Sequence, residues 1–162
     1  MKTTAPATAL AEFMPYQLSV TSNAVSGRIA LEYRNRFGLS IPEWRVMAVL
    51  GDSGMLTQRD LTRMTLMDKV AVNRACKTLE ERALATRLPN EQDGRSHLVE
   101  LTEAGCRMHS EIMPLAVEME GRIFSGLTAE ERQLFRDLLK KVRNQVGDLE
   151  KVADANGSFG VQ

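Results

Sequence analysis

A chain of 162 residues, 43% hydrophobic and 26% charged, is long enough to bury one substantial core and too short to divide comfortably into two. Lysine plus arginine number 21 and aspartate plus glutamate number 21, so no global basic field announces nucleic acid. The two cysteines, Cys76 and Cys106, lack paired spacing, which excludes a disulfide framework or a cysteine-rich zinc site and fits a reducing cytoplasm.

The opening MKTTAPATALAEFMPYQ has one lysine and no sustained apolar run, so neither a signal peptide nor a membrane span is expected. Residues 1–13 read as a flexible arm, 14–150 as a single domain and 151–162 as a flexible tail, with DANGSFGVQ fraying at the end. In the first long segment Leu18, Val25, Ile29, Tyr33 and Phe37 recur at helical spacing, and Gly38 stops it. Ser40 and Glu43 have capping-box spacing around Pro42 and open a second helix with Trp44, Met47, Val49 and Leu50; Gly51 and Gly54 close it.

Thr57, with Asp60 three residues on, caps a short third helix that ends near Met64. After the connection TLM, Asp68 sits at the positive end of a fourth helix whose buried stripe is Val72, Ala75, Cys76 and Leu79. Helices joined so tightly must cross steeply, which is helix-turn-helix geometry. Ala85 to Pro89 and Ser96 to Leu101 are extended, with Asp93 and Gly94 in a turn that accommodates positive φ. Pro89 limits the first strand to an edge, and so small a hairpin must lean on the preceding helix as a wing.

From Thr102, the apolar positions Met108, Ile112, Leu115, Met119 and Ile123 predict a helix that Pro114 bends or splits. Thr128 and Glu131 box the start of a last helix, apolar at Leu134, Leu138, Val142 and Leu149 with Phe135, Leu139 and Val146 beside them. So wide an apolar arc requires burial on more than one side, which a second copy of the chain can supply.

The order of elements and the runs IPEWRVMAVL, LTQRDLTRMTLMDKVAVNRACKTLEERAL, LPNEQDGRSHLVELTEAG and LTAEER resemble the MarR family of bacterial transcription regulators, over roughly residues 18–148. The recognition-helix-plus-wing block, with Asp93-x-Arg95 at its tip, is the most specific part. The resemblance implies a mainly α fold with a small β-hairpin wing, the winged helix-turn-helix over 40–101 and dimerisation helices over 14–39 and 102–150. It further implies a homodimer on a pseudo-palindromic operator in double-stranded DNA, and a small phenolic or other aromatic effector bound between the dimer interface and the DNA-binding module.

A recognition helix reads donors and acceptors in the major groove, and its outward residues here are Lys69, Val70, Ala71, Asn73, Arg74 and Lys77. Asn73 suits adenine and Arg74 guanine; Val70 can meet a thymine methyl, and Lys69 and Lys77 suit phosphate. Thr57 and Arg59 complete this set on the preceding helix, and residues 57–79 carry five basic and two acidic side chains, a local +3. Arg95 is assigned to the minor groove and Asp93 to orienting it, against the plainer reading of solvated surface charges.

Tyr16, Arg28 and His109 are candidate effector contacts by family placement alone. Trp44 reads as core or as a ligand platform, Arg45 as a ligand-carboxylate partner or an ordinary ion pair, and Met47 as pocket lining or core filling. Cys76 falls on a stripe that favours an inert thiol, and the reactive cysteine of the family's peroxide sensors, early in the first helix, does not occur. His97, His109 and two unpaired cysteines supply no nucleophile–base pair or metal set, so neither an enzyme nor a cofactor is read. The resemblance thus implies a homodimeric repressor of a catabolic or efflux operon, released by a phenolic acid or its CoA thioester. The competing reading is a helical ligand-binding or protein-interaction module that never touches DNA, which the neutral charge permits; Arg74 and Arg95 discriminate the two.

Overall fold

The computed structural model describes residues 9–157, with side chains through 151; residues 1–8 of the expected arm and 158–162 of the expected tail lie outside the described residues. A single 3-10 turn, Leu10–Glu12, precedes α1 (Met14–Phe37), α2 (Ile41–Ser53), β1 (Leu56–Thr57), α3 (Gln58–Thr65), α4 (Lys69–Glu81), β2 (Ala85–Pro89), β3 (His97–Leu101), α5 (Glu103–Ile123) and α6 (Ala129–Gly157). Two compact units divide the chain, one through Met119 and one from Glu120.

Local chemistry sets most boundaries in the first unit. Gly38, at φ 64°, ends α1 in the left-handed conformation that a side chain would resist, and its N–H donates back to the Arg34 carbonyl. Ser40 and Glu43 complete a reciprocal capping box, with the Ser40 N–H donating to Glu43 Oε2 at 2.9 Å. Thr57 Oγ1 accepts from the Asp60 N–H at 3.1 Å to start α3.

The sheet departs from the sequence expectation. Rather than a lone two-stranded hairpin, it has three antiparallel strands in the order β1-β3-β2, because Leu56 and Thr57 pair with Val99 and Leu98. Two residues carry too little alternation to be recognised as a strand without their partner. Pro89 does stand on an edge strand, paired with His97.

Two further expectations need correction, and at Pro114 one of the two expected outcomes is removed. Gly94 does not adopt positive φ; side chains shape the turn instead, with Asn90 Nδ2 donating to Ser96 Oγ at 2.8 Å and the Gln92 N–H to Asn90 Oδ1 at 3.1 Å. Gly51 lies inside α2, where a Cβ would meet the His109 imidazole at 2.5 Å, so it serves close packing rather than termination. Pro114 does not split α5, which runs unbroken across it while burying Ile112, Leu115 and Met119. Proline removes one helical hydrogen bond there, a loss that apolar burial along the same helix offsets.

The core of this unit gathers Leu39, Val46, Met47, Leu50, Leu61, Val72, Cys76, Leu79 and Val99, all 3% exposed or less. In the second unit the Thr128 N–H donates to Glu131 Oε2 at 2.8 Å and the Glu131 N–H to Thr128 Oγ1 at 3.2 Å, which forms the expected box. Phe124 and Phe135 meet at a 45° tilt with centroids 6.0 Å apart. Helix α6 continues to Gly157, past residue 150 where the tail was expected, since no proline interrupts DLEKVADAN.

Candidate nucleic-acid interface

The α3-turn-α4 unit is built from the inside outward. Val72, Ala75, Cys76 and Leu79 recur every three or four residues and are buried, which anchors one face of α4 and turns the other outward. Leu66, at φ 52°, provides the reversal between α3 and α4, an unusual conformation for a branched residue, costing roughly 1–2 kcal/mol. Asp68 Oδ1 then accepts the Ala71 N–H at 2.8 Å and caps α4. At the opposite end Arg82 Nη1 and Nη2 donate to the Gly38 and Phe37 carbonyls at 2.9 and 2.8 Å, so one guanidinium ties the end of α4 to the end of α1.

On the outward face Lys69, Val70, Asn73, Arg74 and Lys77 are exposed, and Ala71 is half-buried. Lys77 lies 3.8 Å from Glu81 in a surface pair of little strength. Asn73 has company that sequence reading missed: Gln58 Nε2, at the first position of α3, donates to Asn73 Oδ1 at 3.0 Å. Fifteen residues separate the two, and no helical spacing links them.

Thr57 is committed inward. Its hydroxyl donates to Asp60 Oδ2 at 2.7 Å while accepting the Asp60 N–H. That bond, foremost, holds the Asp60 carboxyl below its ordinary pKa, helped by the Arg63 and Arg59 charges; Arg63 pairs with it at 3.0 Å. Arg59 is exposed on the same helix.

Between α3 and the wing opens a cleft of about 580 Å³ lined by four arginines, Arg59, Arg63, Arg87 and Arg95, together with Asp60 and Asp93. Arg87 reaches back to Glu80 at 2.6 Å, fastening β2 to α4. At the tip Asp93 Oδ1 accepts the Arg95 N–H at 3.1 Å, and the Arg95 side chain is exposed. The cleft brings the sequence-proposed Thr57, Arg59, Asp93 and Arg95 together and adds Gln58, Arg63 and Arg87 to its lining, while Lys69, Val70, Asn73, Arg74 and Lys77 are exposed on α4.

The proposed effector contacts separate. Trp44 stacks on His109 at 6.1 Å between centroids and meets Tyr33 edge-on at 4.8 Å, a cluster joining α1, α2 and α5. Tyr33, absent from the sequence-proposed set, is buried, and burial pushes its hydroxyl pKa up. Met47 is fully buried core. Arg28 pairs with Glu32 at 2.9 Å on α1, and Arg45 is exposed on α2. Tyr16 is exposed near the start of α1, about 26 Å from Tyr33 at the helical rise. Burial likewise raises the Cys76 thiol, whereas Cys106 is exposed.

Among the described residues no helix is long and apolar enough to cross a membrane. A helix-turn-helix carrying a three-stranded wing, with helices before and after it, is a winged helix-turn-helix of the kind found in transcription regulators. The comparisons with known proteins agree: a family model described as the MarR family matches residues 37–96. The uncharacterised transcriptional regulator YdgJ of Bacillus subtilis is 27% identical over 83% of this chain and 80% of its own length. A solved MarR/EmrR family regulator from Acinetobacter superposes with a TM-score of 0.80 at 26% identity, covering 87% of this chain and 99% of that one. BpsR of Bordetella bronchiseptica, whose DNA binding is regulated by 6-hydroxynicotinic acid, gives 0.68 at 25% identity over 78% of this chain and 98% of its own. The chain thus resembles the MarR family of transcriptional regulators in sequence over residues 37–96 and in fold over most of its length.

Proposed function

We propose that two copies of this chain form a repressor that binds a pseudo-palindromic operator in the cytoplasm and controls a catabolic or efflux operon. The observation that carries this reading is the exposed side of α4, with Asn73 and Arg74, linked through the Gln58–Asn73 bond to the α3–wing cleft that holds Arg95; residues 57–79 carry +3 although the whole chain is neutral. On such a face Arg74 and Asn73 meet base edges, Lys69 and Arg59 meet phosphate, and Arg95 enters the flanking minor groove. The dimer is supported by Leu134, Leu138, Val142, Val146 and Leu149 of α6, each between 47% and 61% exposed at spacings that form one stripe.

The same proposal includes release by a small aromatic acid or its CoA thioester. The Tyr33–Trp44–His109 cluster offers ring faces, and Tyr33 lies one turn before the carbonyls that Arg82 grips from the end of α4. An aromatic that moved Tyr33 would thus be felt at the recognition helix. Linkage requires that such a ligand weaken DNA binding by the factor by which DNA weakens its own.

Fluorescence anisotropy on the upstream intergenic duplex, at several salt concentrations and with phenolic acids and their CoA esters, tests the reading. Binding falls steeply with salt, Arg95→Ala lowers affinity about tenfold without loss of fold, and an effector raises the apparent Kd. Protected half-sites lie about 34 Å apart. Unchanged affinity in Arg95→Ala removes the wing from the site, and a chain that binds no duplex is an interaction module instead.

A further inference from the structure

Asn73 is the one amide on the outward face of α4, and an amide reads DNA through either of two chemically opposite ends. Its Nδ2 hydrogens seek base acceptors such as guanine O6 and N7 or thymine O4; its Oδ1 seeks the amino groups of adenine or cytosine. Nothing in a lone exposed asparagine chooses between them. In this chain the choice is made by Gln58. Its Nε2 donates to Asn73 Oδ1 at 3.0 Å, which turns the acceptor end toward α3 and leaves Nδ2 without a partner among the described residues.

Gln58 is itself restrained. It occupies the first turn of α3, directly after the Thr57 cap, and is half-buried. The same Gln58 side chain draws the pKa of the Cys76 thiol, on the buried face of α4 one turn beyond Asn73, down against the burial that raises it.

We infer that Gln58 is a positioning residue that sets which end of the Asn73 amide faces the base edge, and so determines base preference at one step of each half-site without itself touching DNA. The inference rests on the DNA-binding reading above. It also revises the adenine pairing expected from sequence: with Oδ1 engaged by Gln58, the outward group is a pure donor, which favours guanine or thymine over cytosine.

The test is selection from a random duplex library by the full-length wild type, Gln58→Leu, Gln58→Glu and Asn73→Ala, with thermal melting to verify each fold. Wild type selects an acceptor-bearing base at one symmetric position by roughly tenfold over cytosine. Gln58→Leu frees the amide to flip and flattens that position to within about threefold, as Asn73→Ala does, while the other positions keep their preferences. Gln58→Glu can only accept, so it turns Nδ2 inward and Oδ1 outward, and selection moves toward adenine or cytosine. The added negative charge weakens all sequences alike, which a preference ratio does not register. A purely structural glutamine would change stability in these variants and leave base choice alone. Should both Gln58 variants select the wild-type base at wild-type stringency, the inference is overturned and the regulator reading stands. Should wild type select no sequence, both fall together. If Gln58→Leu does not fold, the direction of change in Gln58→Glu decides.

Discussion

Helices α4 and α6 carry similar apolar stripes and meet opposite fates. Val72, Ala75, Cys76 and Leu79 of α4 are 3% exposed or less, closed over by neighbours in the same chain, and the stripe serves to aim the opposite face. The stripe of α6, from Leu134 to Leu149, is about half open to solvent over its whole length. Equal periodicity thus means two things: one helix is finished by its own fold, the other offers its apolar face to something else. On the proposed regulator reading this division is useful, since a rigid reading head and an assembly surface are subject to different demands.

The sharpest way to break the contrast is to compare two glycines. At Gly105, buried where α5 begins, a Cβ would stand 1.9 Å from the Leu84 carbonyl oxygen, a backbone atom that cannot swing aside. Gly105→Ala is expected to destabilise the winged unit by about 3 kcal/mol or more in urea melts, with loss of DNA binding. Gly147, inside α6, has nothing within 4 Å of its would-be Cβ, so Gly147→Ala is expected to raise stability by up to about 1 kcal/mol through helix propensity alone.

Next in size comes the α6 stripe. Leu138→Asp is expected to weaken self-association by about 2 kcal/mol or more, roughly thirtyfold, shifting sedimentation equilibrium toward monomer while the far-ultraviolet helical signal of the remainder persists. Retention of a wild-type dimer would mean that α6 is not the assembly surface.

The smallest effect lies at the start of α3. Thr57→Ala is expected to cost about 1 kcal/mol through the lost cap. Asp60, held by the Thr57 hydroxyl, has a folded pKa below its unfolded value of about 3.9, so folding favours the carboxylate. Its contribution is complete above that pH and is lost as pH falls through the lower folded value. The difference in melting temperature between wild type and Asp60→Asn should accordingly narrow on acidification from pH 5 to below 3.

Features whose cause lies within four residues were legible from the sequence. The boxes at Ser40–Glu43 and Thr128–Glu131, the Thr57 and Asp68 caps, the Gly38 stop and the α4 stripe each rest on an interaction between near neighbours, so the residues themselves state the outcome. The features missed span longer separations. β1 exists only because Val99 and Leu98 lie beside Leu56 and Thr57, and Gly51 is required only because His109 crosses it.

The candidate interface divides along the same line. Which α4 residues face outward followed from the helical period, since burial of one stripe forces the opposite side out. Which end of Asn73 faces outward did not, because Gln58 reaches it from another helix, and the arginine cleft joins side chains of α3 to those of β2 and the wing tip. Chain order alone determined the winged helix-turn-helix plan, through caps and periods acting over a turn or two. Tertiary structure alone decided the polarity of the reading amide and the company of each aromatic ring, because those depend on packing between segments whose sequences carry no mutual signal.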